Sequence, residues 1–465
     1  MATLSSNSIS FSYSGEPLLK EISIALSNGE RIALAGDNGS GKTTLSLILA
    51  GILRPQKGSV EMDGISPWNG DGRYEFRKRV GYVFQNPEDG FVANDVRREL
   101  AFAAENIGVP SKELHERINN LAERLDMQKF LSHSPLTLCG GMKARLAIAS
   151  ALATGADFLL LDEPESFLDI RGQVAFESAL DEIQHHSGIL HITRTRELAS
   201  KCNRAFIIKN GTLRLACDED FAPVHLLKPL ELHSGNEVLL SLNKVSFSYE
   251  DSEVLNEITF DLHRGEIVGI VGASGSGKTT LALACAGILN PSGKIFCKGR
   301  VAMALQFPER QLFGETVYED VLYGPRNFGF DNADSITCET LELFEIDKSF
   351  WSISPFELSD GQQRRVGLAG VVASKPDVLI LDEPFASLDR MGILKLCGNI
   401  EKLAQNGTAI MLISHKTDLL AQIAPRAVAL DNGTIVFDGN TKMLLSNTSI
   451  CEQIGIKPIE VTSLK

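Results

Sequence analysis

Hydrophobic and polar positions follow the same order in both halves of the chain. Each half begins with patterning typical of β-strands and continues with an apolar strand, a glycine-rich loop and a helix. A helical pattern follows, such as ELHERINNLAERL at 113–125, and then an apolar strand ending in Asp-Glu, a helix and another apolar strand. Strands that alternate with helices predict an α/β fold with mainly parallel sheets.

This order is an internal repeat that can be aligned residue by residue. Residues 9–45 align without a gap with 245–281, and FLLLDEPESFLD at 158–169 aligns with VLILDEPFASLD at 378–389. The second copy is shorter between these blocks, and we expect it to lack a loop and hairpin of a peripheral sheet. The repeat predicts two domains, 1–232 and 239–465, joined by a short linker at 233–238.

Composition narrows the class of protein. The 465 residues carry a formal charge of −14, which argues against a nucleic-acid binder. The eight cysteines show no CxxC pair and no zinc-ligand spacing, as expected of reduced thiols in the cytoplasm. We find no signal-peptide pattern and no apolar run of the ~20 residues that a membrane helix needs. A role at a membrane would therefore depend on partners.

Both glycine loops match the phosphate-binding pattern G-x-x-x-x-G-K-[ST]. Glycines let backbone N–H groups surround phosphate oxygens, and the N-terminus of the following helix favours anions. Lys42 and Lys278 are expected to reach the β- and γ-phosphates, and Thr43 and Thr279 to offer a hydroxyl to Mg²⁺. The loops comprise Gly36, Asp37, Asn38, Gly39, Ser40, Gly41, Lys42, Thr43 and Thr44, and Gly272, Ala273, Ser274, Gly275, Ser276, Gly277, Lys278, Thr279 and Thr280.

Two apolar strands end in adjacent carboxylates. Asp162 and Asp382 are expected to hold Mg²⁺, through water. Glu163 and Glu383 are placed to orient and polarise an attacking water. The pattern predicts two sites for ATP hydrolysis.

LCGGM (138–142) and LSDGQ (358–362) each start 24 residues before the aspartate of their half. They resemble the LSGGQ signature of ATP-binding cassettes. The resemblance implies two cassettes, each with a RecA-like, mainly parallel core, an antiparallel β subdomain and a helical signature subdomain. The signatures would bind ATP through Cys139, Gly140 and Gly141, and through Ser359, Asp360, Gly361 and Gln362.

Other positions of the cassette family are present. By this resemblance Tyr13 and Tyr249 stack on adenine, and Gln85 and Gln306 sense Mg²⁺ and the transporter. His415 matches the switch histidine that contacts the γ-phosphate. Residues Ser166–Asp169 and Ser387–Asp389 match the family's SALD loop.

A narrower resemblance is to the paired ATPases of energy-coupling-factor (ECF) vitamin and metal importers. FQNPEDGFVANDVRRELAFAAENIGVP (84–110) is similar to one ATPase, and LQFPERQLFGETVYEDVLYGPRNFG (305–329) to its partner. The resemblance implies a fused module on the cytoplasmic face of the membrane, with a membrane coupling subunit and a solute-binding membrane subunit as partners. Glu88, Asp89 and Glu309 would then meet basic residues of the coupling subunit.

The first half departs from the family at Gly90, Cys139 and Met142, and at Arg194, which replaces the switch histidine. His191 lies nearby, within an apolar run, and we interpret it as a strand residue. We expect head-to-tail pairing of the two cassettes, within one chain rather than between chains. We also expect unequal ATP sites, with most hydrolysis at the site of the second half.

Two other functions remain open. One is a soluble twin-cassette ATPase that acts on ribosomes or nucleic acid, although such translation factors join their cassettes by a long charged helical linker that is not seen here. The other is an ATP-binding regulator with little turnover, which Arg194 and Cys139 would suit. The sequence favours the energising subunit of an importer.

Overall fold

A computed structural model describes residues 2–13, 15–70, 72–138, 140–168, 170–221, 226, 235–249, 252–386 and 388–459. The chain divides into two compact units, Met1–Pro223 and Val224–Lys465. Most of the segment around the expected linker lies outside the described residues, so the linker at 233–238 stays a prediction. In the described part of the chain, no helix is long and apolar enough to cross a bilayer.

The first unit combines two sheets with helices. Its strands are β1 (Thr3–Phe11), β2 (Leu19–Ser27), β3 (Arg31–Ala35), β4 (Lys57–Met62), β5 (Val80–Val83), β6 (Phe158–Asp162), β7 (Gly188–Ile192), β8 (Arg204–Lys209) and β9 (Thr212–Leu215). Its helices are α1 (Lys42–Leu49), α2 (Gly72–Lys78), α3 (Val96–Asn106), α4 (Ser111–Arg124), α5 (Gly140–Ala153), α6 (Ile170–Ile183) and α7 (Arg196–Ser200).

The second unit repeats this architecture. Its strands are β10 (Val238–Tyr249), β11 (Ser252–His263), β12 (Ile267–Val271), β13 (Ser292–Cys297), β14 (Val301–Ala304), β15 (Val378–Asp382), β16 (Ala409–Ile413), β17 (Arg426–Asp431) and β18 (Thr434–Asn440). Its helices are α8 (Lys278–Cys285), α9 (Val317–Asn327), α10 (Ala333–Leu343), α11 (Asp360–Ala373), α12 (Arg390–Gln405), α13 (Thr417–Ile423), α14 (Thr441–Ser446) and α15 (Thr448–Gln453).

The core sheets of the two units have the same strand order. In the described residues the orders are β5-β6-β7-β3-β8-β9 and β14-β15-β16-β12-β17-β18, and only the last pair of each sheet is antiparallel. The central strands are buried on both faces, which explains their continuous apolar runs. The predicted α/β fold with two mainly parallel sheets is confirmed.

Each unit also has a three-stranded antiparallel sheet, with the orders β2-β1-β4 and β11-β10-β13. A helical part built on α3, α4 and α5 has its own apolar core, to which Leu100, Leu121 and Leu146 contribute. In the second unit α9, α10 and α11 contact one another in the same way. These elements agree with the expected antiparallel and helical subdomains.

The extra segment of the first unit follows β4. It contains a turn closed by a bridge between Met62 and Ile65, and then α2, with Phe76 fully buried. The expected hairpin is present only as this short turn, and α2, which covers the core, was not predicted. In the second unit β13 is followed almost directly by β14.

Candidate functional site

The phosphate loop of the first unit leads from β3 into α1, and Lys42 is the first residue of that helix. Lys42 Nζ donates hydrogen bonds to the carbonyl oxygens of Gly36 and Asp37, each at 2.9 Å. Gly36 has a φ of 149°, and a Cβ there would lie 2.9 Å from the carbonyl oxygen of Ile208. Only glycine fits that position. The ammonium group is held across the loop at a helix N-terminus, where an anion is favoured.

The second loop has the same geometry between β12 and α8. Lys278 Nζ donates to the carbonyls of Gly272 at 2.8 Å and Ala273 at 2.7 Å. A Cβ on Gly272 would lie 2.3 Å from the carbonyl oxygen of Leu430. Both predicted phosphate loops are therefore assembled in the same way by their own units.

Asp162 and Asp382 end the strands β6 and β15. The Thr279 hydroxyl donates to Asp382 Oδ2 at 2.9 Å. Burial raises the pKa of Asp162 to about 6, although the nearby Thr43 hydroxyl acts to lower it. Burial also raises the pKa of Asp382. Burial therefore makes ionisation of these carboxyls less favourable than it is for a carboxyl in water, and a bound cation would favour the ionised form.

These oxygen atoms suit a divalent cation. Asp162 Oδ1 is buried and has no hydrogen-bond partner among the described residues. Carboxylate and hydroxyl oxygens are the ligands that Mg²⁺ prefers. Mg²⁺ held by Thr43 and Asp162, or by Thr279 and Asp382, would offset the negative charge of the phosphates. Gln85 and Gln306 follow the neighbouring strands β5 and β14 at the same sheet edge, and their contribution to Mg²⁺ stays a prediction.

Glu163 and Glu383 directly follow these aspartates with left-handed φ angles of 47° and 49°. This conformation is costly for residues other than glycine and is typical of functional sites. Each backbone N–H is held by a carbonyl at the end of the next strand, Ile192 for Glu163 and Ile413 for Glu383. The two carboxylates are thus fixed by equivalent backbone geometry.

The surroundings of the two glutamates differ. Ser414 Oγ donates to Glu383 Oε2 at 3.3 Å, and His415 Nε2 lies 3.5 Å from Glu383 Oε1. Burial, with the neighbouring charge of Asp382, raises the pKa of Glu383 well above its usual range. Arg194 stands where the second unit has His415, and its Nε donates to Glu163 Oε1 at 2.8 Å.

The two tyrosines expected to stack on adenine each pack against a phenylalanine two residues earlier, Tyr13 just beyond the end of β1 and Tyr249 at the end of β10. Tyr13 forms an edge-to-face pair with Phe11 at 4.9 Å, and its hydroxyl lies 3.4 Å from the Thr44 hydroxyl beside the phosphate loop. Tyr249 forms the equivalent pair with Phe247. Both tyrosines are exposed, so adenine stacking is sterically open to them and stays a prediction.

The signature segments lie at the N-termini of α5 and α11. Ser359 and Gln362 form a capping box at the start of α11, with the Ser359 hydroxyl donating to Gln362 Oε1 at 2.8 Å. Cys139, Asp169 and Ser387 lie outside the described residues, and the side chain of Asp360 is not described. Gly140, Gly141 and Gly361 lie in the first turns of their helices.

The comparisons with known proteins agree with this geometry. A model of the ABC transporter family matches residues 19–166 and 255–386, more than half of the chain. This chain belongs to the ABC transporter family. It is a tandem ABC ATPase, with two ATP-binding cassettes in one polypeptide.

Relatives of the same description occur in bacteria. An ABC transporter ATP-binding protein of Bifidobacterium longum is 30% identical over 89% of this chain, which spans 63% of that protein's length. Another of Vibrio vulnificus is 27% identical over 98% of this chain and 92% of its own length. Among solved structures, the archaeal ribosome recycling factor in complex with a ribosomal stalk protein matches with a TM-score of 0.65 at 23% identity, covering 98% of this chain and 97% of that one. That likeness shows a shared fold.

A buried polar network lies behind the first site and was not predicted. Arg31 forms a two-armed ion pair with Glu177 at 2.9 and 3.2 Å, and its Nη2 also donates to His191 Nδ1 at 3.1 Å. His191 Nε2 lies 2.8 Å from Glu165 Oε2, and Thr193 Oγ1 donates to the other oxygen of Glu165 at 2.5 Å. His191 lies in β7, as interpreted from its apolar run.

The internal repeat contains the signal that could have revealed this network. Four polar side chains occupy positions that are apolar in the other copy. By the repeat offset and the strand registers, the equivalent pairs are Arg31 with Ile267, Glu165 with Phe385, Glu177 with Cys397, and His191 with Leu412.

Arg364 of α11 was also missed. Its Nη2 donates to the carbonyls of Gln306 at 3.3 Å and Glu383 at 2.9 Å, and it is almost fully buried. Burial lowers its pKa, while the charge of Glu309 acts in the opposite direction. Arg364 thus connects α11 to the residues that follow β14 and β15 in its own unit.

The first unit makes a different connection at this point. The repeat places Ala144 opposite Arg364, and the preceding Lys143 donates to Glu88 Oε1 at 2.7 Å. Both side chains of this ion pair are largely buried. Glu88 is therefore neutralised by an ion pair within its own unit. In the second unit, the charge of Glu309 acts on the buried Arg364. The expectation that Glu88, Asp89 and Glu309 meet basic residues of a partner stays a prediction, and Glu88 is already paired with Lys143 of its own signature helix.

Proposed function

We propose that this tandem ABC ATPase is the energising subunit of an ECF-type importer and couples ATP hydrolysis to solute uptake through separate membrane subunits. The observation that carries the proposal is an apolar surface beside each glutamine loop. In an importer this surface would receive a membrane coupling subunit, at the cytoplasmic face of the membrane.

In the first unit the surface includes a cavity of about 220 Å³. Phe84, Phe91, Phe102 and Ala103 contribute to its lining, and Phe102 is exposed. Exposed aromatic side chains around a groove are typical of protein-binding sites. The lining includes residues on both sides of Gln85, from β5 and from the segment after it, so an occupant would contact the residues that connect to the ATP site.

The second unit has an equivalent aromatic pair. Phe313 and Tyr323 pack edge to face with ring centroids 4.7 Å apart, and both are exposed. Tyr323 stands at the repeat position of Phe102. Aromatic side chains of this kind favour an apolar helix or loop as the partner.

A buried acid fixes the segment in each unit. Glu99 Oε2 accepts from the N–H groups of Val92 and Ala93 at 2.9 and 2.8 Å. Asp320 Oδ2 accepts from Phe313 and Gly314 at 2.8 and 2.7 Å. Each segment is held in one shape while an apolar side chain, Val92 or Phe313, stays exposed. A prearranged surface lowers the entropic cost of docking.

The test compares two kinds of partner. Purified chain is mixed with inside-out membrane vesicles or with ribosomes from the cell of origin, and ATPase stimulation and co-sedimentation are measured. We expect stimulation by vesicles, and Tyr323→Asp should remove most of it. The control is Phe296→Asp, because Phe296 is similarly exposed, 58% against 53%, but lies on β13 of the antiparallel sheet. Stimulation by ribosomes alone, or equal effects of the two substitutions, would overturn the importer proposal.

We also propose that ATP is held between the phosphate loop of one unit and the signature of the other, within one chain. The matched loops and signatures of the repeat support this pairing. ATPase activity per chain should then be independent of protein concentration. Activity that rises with concentration would indicate pairing between chains.

A further inference from the structure

The guanidinium of Arg194 occupies the centre of the first ATP site. Its Nε donates to Glu163 Oε1 at 2.8 Å, and its Nη2 lies 2.8 Å from the same oxygen. The same Nη2 donates to Asn38 Oδ1 in the phosphate loop at 2.5 Å. One side chain therefore bridges the carboxylate expected to act on water and the loop expected to hold phosphate.

The equivalent carboxylate of the second unit is open. Glu383 Oε1 has no hydrogen-bond partner among the described residues, and the imidazole of His415 lies 3.5 Å from it. That oxygen can accept a hydrogen bond from a water molecule. In the first unit Glu163 Oε1 already accepts from the guanidinium, and the charge-assisted bond is stronger than a bond to water.

The backbone of the first unit favours this arrangement. Thr193 directs its hydroxyl to Glu165, whereas the equivalent Ser414 donates to the catalytic glutamate of its own unit. Glu165 is itself fixed by His191. The buried network thus holds the turn after β7, and the residue that projects from it towards Glu163 is Arg194.

One arm of the guanidinium is left for a ligand. Arg194 Nη1 is buried and has no hydrogen-bond partner among the described residues. A buried, unpaired N–H group of a permanent cation is costly. Its neighbour Asn38 belongs to the phosphate loop, so the group that would satisfy it is a phosphate oxygen of the nucleotide. Arginine suits such an oxygen because its planar fork can bind two acceptors at once.

We propose that Arg194 is an autoinhibitory clamp, which occupies Glu163 and contacts the terminal phosphate, so that the first site retains ATP instead of hydrolysing it. A contact made equally to bound ATP and to the transition state strengthens binding without raising the rate. The first site then stays filled with ATP, and the site with Glu383 carries out the hydrolysis. This inference concerns the ATPase itself and needs no membrane partner.

The test isolates the first site in the full chain with Glu383→Gln. Phosphate release is compared with and without Arg194→His, which places the second unit's residue type in the first. We expect a rise of about tenfold or more, equivalent to about 1.4 kcal/mol per factor of ten. With Arg194→Lys instead, the rate of phosphate release should stay close to that of the Glu383→Gln protein, because an ammonium group can still bind Glu163. The matched control is Arg196→His, an exposed arginine two residues along that pairs with Asp218, and it should change nothing.

A second measurement leaves Glu383 in place. The wild-type chain is loaded with radiolabelled Mg-ATP, allowed several turnovers, separated from free nucleotide and quenched. We expect about one intact ATP per chain to remain bound, and Arg194→His should abolish this retention. Only ADP on the wild-type chain, or a rate in the Arg194→His, Glu383→Gln protein no higher than in Glu383→Gln, would overturn the clamp. The importer proposal would be unaffected by either result, because it is tested by membrane vesicles.

Discussion

Arg31 hydrogen-bonds to His191 inside the first unit, Nη2 to Nδ1 at 3.1 Å, at positions where the second unit has Ile267 and Leu412. Because arginine can only donate, His191 Nδ1 accepts, and Nε2 carries the proton that is shared with Glu165. The two cassettes therefore fill equivalent positions of their cores with different kinds of side chain. One uses a hydrogen-bonded chain of charges, and the other uses apolar side chains.

Arg31→Ile should destabilise the first unit. The change leaves Glu177 buried with Lys201 as its one remaining ion-pair partner among the described residues, 3.3 Å away and half exposed. Breaking a buried ion pair by removing one partner costs about 3–5 kcal/mol. We expect the free energy of unfolding of the first unit to fall by that amount. Denaturant-induced unfolding measures it, in the transition that belongs to the first unit.

The matched control replaces the whole network with the residues of the second unit. Arg31→Ile, Glu165→Phe, Glu177→Cys and His191→Leu together remove all four charged or ionisable buried members, so no buried charge is left unpaired. This fourfold variant should be more stable than the single Arg31→Ile variant. If it is the less stable of the two, the network does not act as a closed set of partners.

Glu309→Lys should damage folding rather than docking alone. Glu309 is partly buried and its charge acts on the buried Arg364. A second cation there would repel Arg364 and remove one of the two carboxylate charges that act on it, at a cost of about 3 kcal/mol. Thermal unfolding of the second unit reports the effect. Asp89→Lys, on the exposed side of the equivalent segment, should leave stability almost unchanged, and equal losses in both variants would contradict the assignment.

Much of the fold followed from the sequence because the repeat compares each segment with a second copy of itself. The phosphate loops, the ends of β6 and β15 and the parallel core are local patterns whose chemistry is explicit in the residues. The α2 segment was misjudged because the second copy lacks it, so no internal comparison was available. Arg194 could be placed at the switch position, but its contacts with Glu163 and Asn38 depend on side-chain geometry that no pattern reports.

The pH profile of ATP hydrolysis should have an acidic limb whose midpoint lies at a higher pH than the ordinary pKa of a glutamate. Burial beside Asp382 raises the pKa of Glu383, and the carboxyl must lose its proton before it can orient and polarise water. Turnover should therefore rise with pH through the raised pKa and be low when the group is protonated. The measurement is kcat against pH at saturating Mg-ATP. A limb near pH 4, where a solvent-exposed glutamate titrates, would contradict the prediction.

Glu383→Gln should abolish most ATPase activity, and Glu163→Gln should spare most of it. The amide keeps the shape of the side chain but removes the group that accepts a proton, an effect of about 10²-fold or more where the base is in use. Glu383 has an oxygen with no hydrogen-bond partner among the described residues and the imidazole of His415 beside it. The substitution at Glu383 should therefore show the full loss of activity. Glu163 is already engaged by Arg194, so its replacement removes little turnover. Steady-state phosphate release by the two variants, with the vesicles that stimulate the wild type, gives the comparison. ATP binding by both variants shows that the sites still form, and a greater loss in Glu163→Gln would reverse the assignment of the working site.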